Sequence, residues 1–186
     1  MRMTNVQGFT LVEVMVSVGL TSLIIGVITS LLFVGLSVQR QSLAVQGILS
    51  QGSTVTEYMT RALKQARKDT TWTCLSGSGP NHENYQLTHS GKGVKFVNVQ
   101  GECQDFYLEG DRIKETRGVQ TVFLSSDDVS ILAFNPFLAG QSQIDTLQPK
   151  VMFYIDMQGK GAKPNSPQQR FQIQTTISQR AYDLLQ

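Results

Sequence analysis

Histidine, cysteine and proline are scarce in this chain of 186 residues, which has 2 His, 2 Cys and 5 Pro. So few histidines and cysteines leave little material for a metal site or a nucleophilic centre. The sequence has no Walker A, H-E-x-x-H or dinucleotide-binding motif, and no calcium loop surrounds the neighbours Asp127 and Asp128. A formal net charge of +2 is too small to indicate a nucleic-acid-binding surface. We therefore predict no catalytic residues, no metal, no cofactor and no nucleic-acid partner.

Charge is almost absent from one long stretch of the chain. Residues 9–38 include 19 apolar side chains, and their single charged residue is Glu13. The 25 uncharged residues that follow Glu13 would form a helix of about 37 Å, which exceeds the thickness of a bilayer core. A secretory signal peptide has a shorter apolar core and a small-residue cleavage site behind it. The stretch is therefore predicted to span a membrane once, with the amino terminus and Arg2 on the cytoplasmic side.

Glu13 is unusual because a carboxylate inside an apolar helix is costly and commonly marks a functional position. Its place near the start of the helix also allows a second interpretation, in which the side chain lies harmlessly at the headgroup level. The residues around it favour the functional one. The string Gly-Phe-Thr-Leu-Val-Glu at residues 8–13 follows a short polar leader and precedes the apolar helix. It resembles the class III signal of type IV prepilins and type II secretion pseudopilins.

This resemblance implies a processing site and an assembly residue. A prepilin peptidase would cut between Gly8 and Phe9 and methylate the new amino-terminal Phe9. Glu13 lies one helical turn beyond Phe9, and within a bundle of helices it would neutralise the terminal amine of a neighbouring subunit. The implied partners are the peptidase/methyltransferase, other minor pilins or pseudopilins, the major subunit and the inner-membrane assembly platform. The implied location is the inner membrane, with a periplasmic or otherwise extracytoplasmic head.

The helical period continues beyond the apolar stretch, although polar residues become frequent. Apolar residues recur every three or four positions as far as Ala66, and basic residues cluster at its end. We predict one helix to about Lys68, whose second half packs on a sheet. Short β-type runs follow at residues 94–99, 103–108, 119–124, 129–134, 151–157 and 171–178. The expected fold is α+β and pilin-like, with a leader (1–8), a transmembrane half-helix (9–38), an amphipathic half-helix (39–68) and an antiparallel β-rich head (69–186).

The two cysteines, Cys74 and Cys103, both belong to the predicted head. Once exported they are expected to form a disulfide, which would contribute roughly 3–4 kcal/mol. The alternative is a zinc site with His82 and His89, but the spacing C-x7-H-x6-H-x13-C matches no structural zinc pattern.

Four motifs follow one another in the head, at residues 107–113, 127–134, 148–155 and 171–180. Their order is similar to that of the J-type minor pseudopilin and related minor pilins. The resemblance implies a non-enzymatic subunit that helps initiate or cap a type IV pilus-like or type II secretion fibre. The alternative is a binding module, whose head would recognise DNA, a surface or secreted cargo through the loops at residues 76–93 and 158–170.

Overall fold

We analysed a computed structural model, which describes residues 8–69, 73–75, 83–140, 147–160 and 169–180. The described residues form one long α-helix, a short 3₁₀ turn at His89–Gly91 and eight β-strands. Their bounds are α1 (Leu11–Lys64), β1 (Tyr85–Thr88), β2 (Gly93–Val97), β3 (Cys103–Glu109), β4 (Arg112–Arg117), β5 (Gln120–Phe123), β6 (Val129–Ala139), β7 (Lys150–Gly159) and β8 (Arg170–Ser178). The chain divides into two compact units, Met1–Leu43 and Ala44–Gln186.

The described part of the first unit consists of the start of α1 and the three residues before it. Its large apolar side chains are exposed, among them Leu20, Ile24 and Leu31. An 18-residue window of α1 has a mean hydropathy of 2.3, which makes this helix long and apolar enough to cross a membrane. Exposed apolar side chains on a helix of this length form a surface that a bilayer core would cover.

In the second unit, the remainder of α1 buries one face against the strands. Ile48, Gly52, Val55, Met59 and Leu63 are buried at spacings of three or four residues, the period of one helix face. This confirms the predicted stripe in part. Two other apolar residues that belong to the predicted stripe, Leu43 and Tyr58, are exposed.

The helix ends at Lys64, four residues earlier than predicted. Its last carbonyl groups find partners elsewhere in the fold: the Tyr85 hydroxyl donates to Leu63 (2.7 Å), and the Arg180 backbone N–H donates to Lys64 (3.0 Å). Arg67 already lies in an isolated β-bridge with Val97. Orphan carbonyls at a helix end need such partners, and these come from segments far along the chain that a local period cannot reveal.

The first sheet is a five-stranded antiparallel meander in the order β1-β2-β3-β4-β5. Gly110 and Asp111 form the turn that joins β3 to β4, with Gly110 in the left-handed conformation (φ 65°) that glycine adopts without strain. Two strands were missed. The loop predicted at residues 76–93 contains β1 and the first residue of β2, and β4 carries too many charges to resemble a buried strand.

The second sheet is three-stranded and antiparallel, in the order β6-β7-β8. Alternate β7 residues (Val151, Phe153 and Ile155) are completely buried, as a strand with one face on the core requires. One core includes the buried side chains of α1 and of both sheets. The α+β class with a long amino-terminal helix and antiparallel strands is therefore confirmed, but the strands form two sheets.

Candidate functional site

The predicted processing site lies just before the first turn of α1. Phe9 is 81% exposed, and a Cβ atom added to Gly8 would meet no atom within 4 Å. Both residues precede Leu11, the first residue of the helix. A protease must bind its substrate in an extended form, so a scissile bond outside the helical hydrogen bonds suits cleavage. The structure thus leaves the bond between Gly8 and Phe9 accessible.

Thr10 caps the helix, a role that sequence analysis did not assign to it. The Glu13 backbone N–H donates to the Thr10 hydroxyl (3.3 Å), and the Val14 N–H donates to the Thr10 carbonyl (3.2 Å). Thr-x-x-Glu before an apolar run is the sequence signature of a capping box, and this signal could have identified Thr10. The cap begins α1 directly after the predicted processing site.

Glu13 lies in the first turn of α1, where the helix dipole favours a negative charge. It is exposed, and among the described residues none forms a hydrogen bond or ion pair with its carboxylate. The hydroxyls that follow it on the helix are engaged with the backbone. Ser17 donates to the Glu13 carbonyl (2.8 Å), and Thr21 donates to the Ser17 carbonyl (2.7 Å). The carboxylate is therefore available to a partner outside the described part of the chain.

The two cysteines are brought together in the head. The structure joins Cys74 to Cys103, with Cα atoms 5.4 Å apart. The Asp69 carboxylate accepts hydrogen bonds from the backbone N–H groups of Cys74 (2.9 Å) and Leu75 (2.7 Å), which holds the turn that presents Cys74. Cys103 is the first residue of β3.

No zinc set is assembled among the residues that the structure describes. His82 lies outside those residues, as do 76–82 and 161–168 of the two predicted binding loops. His89 stacks on Tyr107, with ring centroids 3.9 Å apart, and its Nδ1 atom is 3.7 Å from the Asp105 carboxylate. Asp127 and Asp128 lie in the turn directly before β6.

Glu115 is a charged group inside the head, 4% exposed, and it stabilises the packing of α1 on the first sheet. Its carboxylate accepts hydrogen bonds from the Tyr58 hydroxyl (2.9 Å), the Gln104 amide (2.6 Å) and the Arg117 guanidinium (3.0 Å). Burial, together with the neighbouring Glu115, raises the pKa of Tyr58. A carboxylate that is fully bonded to fixed donors is part of the fold, not a free acid or base.

Two further carboxylates, one buried and one partly buried, have pKa values that are shifted in opposite directions. The hydrogen bond from Arg170 holds the pKa of Asp156 below its ordinary value, and Asp156 is 2% exposed. Burial raises the pKa of Asp105, against the opposing effect of its hydrogen bond from Thr88. These groups lie on different sheets, so they do not form one acid–base pair. None of these sites was identified from the sequence, because each depends on residues that are distant in the chain.

Comparison with protein families identifies one segment. Residues 3–29 match the family model for the prokaryotic N-terminal methylation motif. Searches of curated proteins and of solved structures find no match. The matched segment contains Gly8, Phe9, Thr10 and Glu13 and continues into α1. The methylation motif, followed by one long apolar helix that leads into antiparallel sheets, supports the resemblance of the chain to prepilins and pseudopilins.

Proposed function

We propose that the protein is a minor pilin or pseudopilin, a structural subunit that helps initiate or cap a type IV pilus-like or type II secretion fibre. The observation that carries this proposal is the methylation motif at residues 3–29 together with Glu13 in the first turn of the apolar helix, whose carboxylate has no partner among the described residues. The loose resemblance of the head to J-type minor pseudopilins supports the minor role. The subunit would act by packing against others and would not be an enzyme.

Processing would begin the subunit's assembly. A prepilin peptidase would cut after Gly8, where the absence of a side chain leaves the peptide bond unobstructed, and would methylate the amine of Phe9. Cleavage removes Arg2, the one charged side chain before the junction, and creates a positive terminal amine at the end of the helix. The mature chain would then have one positive and one negative group at the start of an otherwise apolar helix.

Glu13 would set the position of the subunit in the fibre. An unpaired charge in an apolar helix bundle is strongly disfavoured, whereas a carboxylate paired with a neighbour's terminal amine is tolerated. Only a subunit inserted at the correct height would bring the two charges together. Glu13 would therefore contribute specificity of insertion more than stability.

The direct test of processing is the intact mass of the purified protein. The expected product lacks residues 1–8 and is heavier by one methyl group on Phe9. A Gly8→Val variant adds a branched side chain at the junction, and it should remain uncut in the same cells. A wild-type chain that keeps Met1 beside an active prepilin peptidase would contradict the proposal.

The role of Glu13 is tested by Glu13→Gln, which removes the charge and keeps the size of the side chain. We expect normal cleavage and methylation but loss of incorporation into the fibre fraction, measured by immunoblot of sheared fibres. Glu57→Gln is the matched control, because Glu57 lies on the same helix in an exposed ion pair with Arg61. Glu13 has no docking role if both variants are incorporated like the wild type.

A further inference from the structure

The outer edge of β8 is unpaired in the part of the chain that the structure describes, where β8 is the last strand of its sheet. The Gln179 N–H donates to Pro149, and the Gly159 N–H donates to Gln169, so odd-numbered residues of this segment bond to β7. In an antiparallel ladder the intervening residues direct their backbone groups the other way. The N–H and C=O groups of Gln172, Gln174 and Thr176 therefore point away from β7.

This edge lacks the features that usually prevent strands from pairing with other chains. Residues 171–178 contain no charge, no proline and no glycine, and β8 is nine residues long. Natural proteins commonly protect exposed edges with charges, prolines, bulges or very short strands. The opposite edge strand of the same sheet, β6, has both Pro136 and a register shift between Ile131 and Ala133. β5, at the edge of the first sheet, has only four residues.

The inward-facing side chains of the second sheet become less buried towards its free edge. The inward-facing residues Phe153 and Ile155 of β7 are completely buried, whereas Phe171, Ile173 and Thr175 of β8 are only partly buried. α1 covers this side of the sheet, since an added Cβ on Gly52 would lie 3.1 Å from Ile173 Cδ1. One more strand beside β8 would extend the layer under α1 and bury the remaining apolar surface.

We propose that the edge of β8 binds an extended, uncharged strand of a neighbouring fibre subunit, an inference that rests on the proposed function. The unpaired backbone groups specify another extended backbone as the partner, in the manner of β-strand addition. The uncharged edge favours a partner strand that is also uncharged at its centre, because an unpaired charge would lose hydration there. Successive side chains of a strand point to opposite faces of the sheet. The partner strand must therefore place apolar residues beside Phe171 and Ile173, and polar residues beside Gln172 and Gln174.

The test uses the full-length chain in detergent and a fluorescent peptide with the sequence of β8, RFQIQTTIS, which has the required alternation. Gln174→Pro removes an outward N–H without removing a backbone hydrogen bond to β7, although it also removes the side-chain hydrogen bond from Gln174 to Met152 Sδ (3.3 Å). It should weaken peptide binding by about tenfold or more. Thr121→Pro is the matched control. The Leu124 N–H donates to Ile113, so Thr121 directs its N–H away from β4 on the other sheet's edge. This variant should bind the peptide like the wild type.

A second variant guards against a folding defect in Gln174→Pro. Gln174→Lys keeps the N–H, and it should bind a peptide with a central Glu more tightly than one with a central Lys. The proposal is overturned if the peptide does not bind the wild type, if both proline variants bind equally, or if the lysine variant shows no charge preference. None of these results depends on cleavage at Gly8, so the mass and incorporation tests of the proposed function are judged separately.

Discussion

Glu115 illustrates, at the scale of single residues, how a charged side chain can be buried without serving chemistry. Its neighbours in the sequence, Lys114 and Thr116, suggest an exposed polar strand. The fold brings Tyr58 of α1 and Gln104 of β3 onto its carboxylate, and Arg117 adds an ion pair. Each bond offsets part of the cost of removing the charge from water. The network joins the helix to the sheet through a contact that spans 57 residues of sequence.

We predict that Glu115→Ala lowers the free energy of unfolding by about 2–3 kcal/mol, because it leaves buried donors without an acceptor. Glu57→Ala, which removes an exposed carboxylate from α1, should change the free energy of unfolding by about 0.5 kcal/mol or less. Urea unfolding of the full chain in detergent, followed by circular dichroism, measures both. Equal effects of the two substitutions would show that the Glu115 network contributes nothing specific.

Asp156 should make stability depend on pH. Its pKa is lower in the folded chain than in the unfolded chain because of the hydrogen bond from Arg170. The stabilisation is therefore present above the unfolded pKa and is lost as the pH falls through the folded pKa. We expect the free energy of unfolding to fall below about pH 4 in the wild type and to fall less in Asp156→Asn.

Other carboxylates do not disturb the comparison of the two pH profiles. Burial raises the pKa of Asp105, so Asp105 changes the stability with pH in the opposite direction. It does so equally in the wild type and in Asp156→Asn, and its effect therefore cancels from the difference between them. Asp127→Asn is the control, since this carboxylate is exposed and pairs with Arg112. The prediction fails if urea unfolding gives parallel pH profiles for wild type and Asp156→Asn.

At the scale of elements, α1 has two kinds of glycine that look alike in the sequence. Gly52 lies where the helix approaches the second sheet, and an added Cβ would be 2.8 Å from Met157 Sδ. At Gly47, which lies on the same helix nearer its start, an added Cβ would meet nothing within 4 Å. Glycine is unfavourable in a helix interior, so its presence at position 52 is explained by the close approach of the sheet.

The two glycines give a paired prediction. Gly52→Ala should destabilise the protein by up to about 1 kcal/mol, because displacing the buried end of the Met157 side chain outweighs the gain in helix propensity. Gly47→Ala should stabilise it by about 0.5–1 kcal/mol through helix propensity alone. Thermal unfolding of both variants in detergent measures the sign of each effect. Two substitutions that both stabilise would mean that the sheet does not restrict position 52.

At the scale of the whole molecule, the division between the apolar helix start and the head sets the chemical environment of each. Cys74 and Cys103 both belong to the second unit, and an exported head would expose them to an oxidising compartment. The cross-link would join the turn after α1 to the start of β3. It would stabilise the head mainly by restricting the unfolded chain.

We predict that Cys103→Ser lowers the free energy of unfolding by roughly 3–4 kcal/mol, as removal of a cross-link over a loop of this length implies. Adding a reductant should weaken the wild type by a similar amount and leave the variant unchanged. Alkylation of the unreduced, denatured wild type should label no thiol. Two labelled thiols per exported chain would mean that the cysteines are free.

The amino-acid sequence alone indicated the methylation motif and the long apolar helix. The motif at residues 8–13, the apolar stretch and the helix period are local in the chain, so neighbouring residues are sufficient to read them. The alternating strands β7 and β8 were predicted for the same reason. The tertiary structure alone decided the early end of α1, the strands β1 and β4, the split into two sheets and the burial of Glu115 and Asp156. Each of these depends on hydrogen bonds or packing between residues far apart in sequence, such as Tyr85 with Leu63 or Arg170 with Asp156, and no local pattern encodes them.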